Sequence, residues 1–202
     1  MTFGGRNSRC TSMESLYRAL MGQSFDTLDD RIRRFHTPDP YSVASGRFNV
    51  KQGRNLAARL IAWLFRLPSP GVEVPVQLKL ESYREGSRVV EKWSRTFNGQ
   101  RLESRQFAVD DSCLAERFGL IEFRFRLLSR NGTLVYQPAG AAIPFGSLRL
   151  PLPRGLSPSR EDYVAPSKTD DAAMEISVNL NLPMVGTVVA YQGTLIPELS
   201  AR

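Results

Sequence analysis

Val89-Val90-Glu91-Lys92-Trp93-Ser94-Arg95-Thr96-Phe97 (residues 89–97) alternates with a period of two and reads as a β-strand. Val89, Glu91, Trp93, Arg95 and Phe97 share one face, while Val90, Lys92, Ser94 and Thr96 share the other. The second face is mostly polar and is assigned to solvent. The first carries three apolar residues and is assigned to the interior, which takes Glu91 and Arg95 inside with Trp93 between them. Buried charges are costly unless they are paired or hydrogen-bonded. This face is therefore either a structural ion-pair layer or the polar end of a ligand cavity. Glu91 and Arg95 lie roughly 13 Å apart along a strand, too far to pair with each other. Each needs a partner on a neighbouring strand, and Glu103, Arg105, Glu116 and Arg117 are the candidates.

The same alternation extends in both directions from this segment. Val74, Val76, Leu78 and Leu80 alternate with Gln77, Lys79 and Glu81, and Glu85-Gly86 turns that strand into residues 89–97. Asn98-Gly99 is a tight hairpin turn into Arg101–Val109, and Asn131-Gly132 joins a strand containing Ile121, Phe123, Phe125 and Leu127 to Thr133–Gln137. The Pro-rich passage 144–158, with Leu148, Leu150 and Leu152, fits an edge strand. Met174, Ile176, Val178, Leu180 and Leu182 make a further strand, followed by Thr187–Ile196, and a short strand Ser45–Lys51 opens the series. Eight to ten strands joined mostly by short turns imply antiparallel pairing. One apolar and one polar face on each implies a curved sheet or β-barrel with a wet outside.

Three helices complete the expected α+β, predominantly antiparallel fold, of a calycin- or lipocalin-like kind. Ser12 is a candidate cap for a helix over 13–21, the spacing of Phe25, Leu28, Ile32 and Phe35 predicts a second over 26–35, and Thr37-Pro38-Asp39-Pro40 ends it. A third helix over 54–66 follows the first strand. Its apolar band covers more than half its circumference, which predicts a core plug or a lid over one end of the sheet. Residues 1–12 read as a disordered lead-in and 13–202 as one domain.

Composition narrows the function classes. The net charge is +7, divided as +6 over residues 1–70, +2 over 71–130 and −1 over 131–202. Such an excess attracts anionic lipid, nucleic acid or an acidic partner, but the outward face with Arg88 and Lys92 lacks the interleaved aromatics of a nucleic-acid surface. The first 13 residues lack a signal-peptide core, and the apolar stretch Leu56–Leu67 is too short to span a bilayer, so a reducing, cytoplasmic setting is expected. Cys10 and Cys113 make no disulfide framework, Asp110-Asp111 and Asp170-Asp171 read as turns rather than metal ligands, and no glycine-rich dinucleotide fingerprint follows a strand. Neither metal nor cofactor is expected.

The ordered set Leu16-Tyr17-Arg18, Arg34-Phe35-His36, Gly46-Arg47-Phe48-Asn49-Val50 with Gly53, Pro75-Val76 and Glu91-x-Trp93-x-Arg95-x-Phe97 with Ser104 resembles a bacterial family. Glu116-Arg117-Phe118-Gly119, Pro183-x-x-Gly186 and Tyr191-x-Gly193-x-Leu195 continue the pattern. That family is domain of unknown function 4166, and the resemblance runs from about residue 13 to 198. In some bacterial proteins a similar domain is joined to a nucleotide-binding reductase-like domain, which implies small-molecule metabolism and a reductase-like partner. The resemblance brings no catalytic residues with it.

Three functions follow as expectations. The first is binding of a small amphipathic, lipid-like ligand, with Arg95 on its polar head, Trp93 and Phe97 on its tail, and Glu91, Ser104, Glu116, Arg117 and Tyr191 around it. The second is a cofactor-independent enzyme with Glu91 as acid or base, assisted by Tyr191 or His36. His36 is the only histidine, and its place at a helix end favours a protonated cap at the surface. The third is an interaction module that uses the basic helices.

Overall fold

The computed structural model describes residues 15–146, 148–153 and 157–198. Two short helices lead the chain, α1 (Leu16–Met21) and α2 (Asp30–Phe35), with a 3-10 turn between them over Gly22–Thr27. Ser15 caps α1 and Asp29 caps α2, each side chain accepting from a backbone N–H two or three residues on. The single helix expected over 26–35 is thus shortened at its start, because Asp29 offers a competing cap and Leu28 is extended. The expected lead-in 1–12 and the Ser12 cap lie outside the described residues.

Eleven strands follow: β1 (Tyr41–Gln52), β2 (Gly71–Glu85), β3 (Arg88–Phe97), β4 (Gln100–Asp110), β5 (Cys113–Phe118), β6 (Ile121–Arg130), β7 (Thr133–Phe145), β8 (Leu148–Pro151), β9 (Ser159–Pro166), β10 (Met174–Leu182) and β11 (Gly186–Pro197). The inserted helix α3 (Leu56–Leu64) lies between β1 and β2. All pairings are antiparallel, and the order β6-β5-β4-β3-β2-β1-β11-β10-β9-β7 closes through β6–β7 into a ten-stranded barrel. The edge strand expected in the Pro-rich passage is β8, a short hairpin arm on the outer half of β7. Two strands, β5 and β9, have no counterpart in the sequence reading.

Alternation places Val76, Leu78, Leu80, Trp93, Phe97, Phe123, Phe125, Leu134, Val164, Met174, Val178, Tyr191 and Leu195 in one continuous core. Beside Phe48 the chain has no room for a side chain on the opposite strand. A Cβ on Gly193 would stand 2.0 Å from the Arg47 carbonyl oxygen and 2.2 Å from the Phe48 ring. The glycine lets β1 and β11 approach where Phe48 folds over onto Tyr191.

The barrel's two ends differ. At one end, reached by the turns 86–87, 111–112 and 131–132, α1 and α2 form the floor. Tyr17, Phe25, Ile32 and Phe35 are buried there, the Asp29 amide donates to the Gly132 carbonyl at 3.0 Å, and Arg31 donates to the carbonyls of Asp170 and Ala173. At the other end α3 packs on β1 and β11 through Ala58 and Ala62, and Leu67 and Pro68 close the mouth. The plug expected of α3 is thereby corrected. Ala58 and Ala62, with Ile61 partly buried beside them, face the barrel, and Leu56, Leu60, Trp63 and Leu64 face out.

Candidate functional site

Five polar residues from four strands meet inside the barrel. Arg95 and Ser104 are brought close by the Trp93↔Ser104 register of β3 with β4, Glu116 arrives from β5, and Arg160 and Asp162 from β9. Arg95 Nη1 donates to Ser104 Oγ at 2.9 Å, and Nη2 to Glu116 Oε1 at 3.1 Å, while the Ser104 hydroxyl donates to that same oxygen. Arg160 Nη1 donates to the second Glu116 oxygen at 2.6 Å, and its Nη2 lies 2.6 Å from Asp162 Oδ2. One carboxylate thus bridges two guanidiniums, with a second carboxyl at the far side. The Arg160 guanidinium also lies 5.6 and 5.4 Å from the Phe123 and Phe125 ring centres, and Arg95 lies 5.0 Å over Trp93.

Electrostatics separates the two acids. Burial pushes the Glu116 carboxyl up, but Arg160 and Arg95 outweigh it and hold it at about 2. Asp162 faces only one arginine directly and feels the Glu116 charge, so burial wins and raises it to about 6. The layer is not fully satisfied: Arg160 Nε and Asp162 Oδ1 are buried with no hydrogen-bond partner among the described residues.

Two internal spaces of about 40 Å³ each flank this layer. Both are lined by Arg95, Arg160, Val178 and Tyr191. The lower one adds Phe48, Leu78, Trp93 and Asp162, and the upper one Leu67, Leu102, Phe123 and Val189. A space of this size holds about three water molecules.

The structure therefore brings Arg95, Trp93, Ser104, Glu116 and Tyr191 to one place, with Phe97 packed against the Tyr191 ring at 5.2 Å. Arg95 is not a free head-group clamp, since it is tied to Glu116. Arg117 points the other way along β5 and pairs with Glu122, which also holds Arg124 and Arg149 on the outer side. Its expected place in the interior is corrected, because Glu116 and Arg117 are adjacent and adjacent strand residues face opposite sides.

Glu91 and His36 form a separate cluster against the floor. Glu91 has Ser82 and Gln106 as cross-strand neighbours, yet neither carboxyl oxygen has a hydrogen-bond partner among the described residues. Burial pushes it up to about 8; the Trp93 indole N–H and the Leu16 amide are near enough to pull weakly the other way, but neither closes a hydrogen bond of good geometry. His36 is fully buried, its ring 4.0 Å from that of Tyr17 and 5.5 Å from Trp93. The expected protonated surface cap is corrected: His36 does end α2, but burial holds its imidazole neutral, down to about 3. Tyr17 completes the floor by donating to Gln106 Oε1 at 2.6 Å, with the Tyr136 hydroxyl at 2.8 Å. Neither Glu91 nor His36 lines either internal space, and Tyr191 lies with the arginines instead.

No curated protein matches the chain. Among solved structures, the ywiB protein from Bacillus subtilis is 11% identical, aligning over 79% of this chain and 92% of its own with a TM-score of 0.30. The model of a family described as a domain of unknown function, DUF4166, matches residues 28–195, most of the β-barrel and the whole ionic layer, and the chain belongs to that family.

Proposed function

We propose that the barrel binds a small amphipathic molecule bearing an anionic or strongly polar head, and that it does so without catalysis. The observation that carries this reading is the ionic layer's incompleteness: Arg160 Nε and Asp162 Oδ1 lack partners among the described residues, and both residues, with Arg95, form the polar side of a mainly apolar space. Buried polar groups normally find partners, and a bound head group is one way to supply them. The head lies against Arg160 and Arg95, and the apolar part against Phe48, Leu78, Val178 and Leu195. Since each space is about 40 Å³, the ligand is small or its entry moves side chains apart. An entering anion competes with Asp162 for Arg160, and Asp162, raised to about 6, takes up a proton as it yields. Binding is therefore tighter at pH 5.5 than at pH 8.

Native mass spectrometry of gently purified protein, followed by organic extraction, tests the reading. A stoichiometric small acid or polar lipid-like metabolite is expected, lost from Arg95→Ala and retained by Glu91→Gln. An apo mass, with no thermal shift from a panel of millimolar short-chain acids at either pH, would refute it. Acid–base catalysis by Glu91 has less support, because that carboxyl reaches neither internal space.

A further inference from the structure

The exposed apolar side chains of this protein are concentrated at one end of the barrel. Leu56, Leu60, Trp63 and Leu64 of α3, Leu120 in the β5–β6 turn, Phe145 and Leu148 around the β7–β8 turn, and Met184 in the β10–β11 turn are all exposed. The antiparallel registers put all of these connections at the mouth opposite the α1–α2 floor. On α3 the four large residues fall at i, i+4, i+7 and i+8, a single outward stripe. Trp63 is 76% exposed and Leu56 82%. Exposing such a stripe to water is unfavourable, and soluble surfaces rarely gather patches of this kind without a binding role.

Charge indicates what covers it. The described connecting segments at this end, residues 53–70, 98–99, 119–120 and 183–185, contain Arg54, Arg59 and Arg66 and not one Asp or Glu. On the strands beside them Lys51 and Arg101 are exposed, as are Glu73 and Glu103, the latter paired with Arg101. The connections at the floor end carry Asp26, Asp29, Asp30, Asp39, Asp111, Asp170 and Asp171 against Arg18, Arg31, Arg33, Arg34 and Lys168, a mixed and largely paired set. The rim at the mouth is thus apolar with a net positive charge, Lys51, Arg54, Arg59, Arg66 and Arg101 outnumbering Glu73 and Glu103. That combination suits an anionic lipid surface, which takes Leu and Trp to the depth of the acyl boundary while its head groups meet arginine. No described helix is long and apolar enough to cross a membrane, so α3 lies in the interface rather than through it.

We infer that the protein docks on anionic phospholipid bilayers through α3 and the neighbouring rim, with α3 parallel to the membrane plane and the barrel mouth facing the lipid. This docking does not depend on what the barrel holds, and its test is separate from the ligand test above.

The sequence contains two tryptophans, and Trp93 is buried. Trp93 contributes a constant background, so a change in emission on adding lipid reports Trp63. Full-length protein is titrated with large vesicles of phosphatidylcholine, or of phosphatidylcholine and phosphatidylglycerol in equal parts, with co-sedimentation in parallel. The expected result is a blue shift and co-sedimentation with the anionic vesicles, at least tenfold weaker on neutral vesicles and weakened by salt. Leu60→Asp with Trp63→Ser abolishes co-sedimentation while the melting curve stays unchanged. Arg54→Ala with Arg59→Ala and Arg66→Ala lowers affinity for anionic vesicles by more than tenfold and leaves the blue shift at saturation. No co-sedimentation with anionic vesicles overturns the inference. So does a Trp63 already blue-shifted without lipid in a species that sediments as a dimer, which would assign the face to a second copy.

Discussion

Glu91→Gln isolates the most costly charge in the molecule. The carboxyl is fully buried, has no hydrogen-bond partner among the described residues, and titrates at about 8 in place of the ordinary 4.5. The folded protein therefore holds this proton more tightly than the unfolded chain does. Stability from this group is intact below pH 4.5 and is lost as pH rises towards and through 8. At about 1.4 kcal/mol per pH unit, the full loss approaches 5 kcal/mol above pH 9, is about 3 at pH 7, and is under about 1 at pH 5. Glutamine has the same shape and never ionises. Chemical denaturation of both proteins from pH 5 to 9 should give curves that nearly coincide at pH 5 and diverge steadily, the variant ending about 4 kcal/mol, or roughly 10 °C in Tm, more stable. Other titrating groups are common to both proteins and cancel in the difference. Parallel curves, or a variant less stable at every pH, would mean that Glu91 is ionised and paired in the folded state, and the reasoning would fail.

Other substitutions probe the remaining charges and the barrel wall. His36→Phe should remove an acid-side loss: burial holds the imidazole down to about 3, so the wild type gives up about 3 kcal/mol between pH 8 and 4.5 that the variant keeps, as read by urea midpoints. Glu116→Gln leaves Arg95 and Arg160 without their shared counter-charge and should cost about 3–5 kcal/mol at neutral pH, whereas replacing all three with apolar residues of similar volume should cost less. A triple variant as unstable as the single one would contradict that account. Gly193→Ala drives a Cβ into the Arg47 carbonyl and the Phe48 ring and should lower stability by more than about 3 kcal/mol. Gly86→Ala, at φ +62° in open space, should cost only about 1 kcal/mol, and equal losses for the two would show that contact is not the cause.

What was legible in the sequence follows from where the interior is apolar. The β2, β3, β6 and β10 segments place apolar side chains on alternate positions, and each was found within a few residues of its bounds. The Arg95–Glu116 pair was among the partners anticipated, because a buried arginine requires one. Arg160 and Asp162 gave no such sign. On β9 the inward positions are Arg160, Asp162 and Val164, so the strand that completes the ionic layer reads as a polar loop after a Pro-rich passage. The short β5, with four consecutive buried residues, lacks alternation for another reason, being covered on both sides. The apolar band of α3 was seen correctly, but a pattern of apolar residues does not tell an inward face from an outward one. The spacing of Ala58 and Ala62, one turn apart, decides it here, since their small side chains on one face let the helix sit against β1 and β11.

The seam between β7 and β9 is the barrel's thinnest wall. β7 shares one edge between two strands, giving Ala142–Phe145 to β8 and only Leu134–Tyr136 to β9, while every other neighbouring pair around the barrel shares at least five register positions. Tyr136, Asp162 and Tyr163 at this seam line both the lower internal space and a groove on the outside. A few ladder hydrogen bonds therefore separate the interior from solvent at the strand that supplies Arg160 and Asp162. Were β9 to part from β7, the interior would open to solvent and the Arg160 guanidinium would be drawn from Glu116, which couples the integrity of this wall to the charge balance inside it.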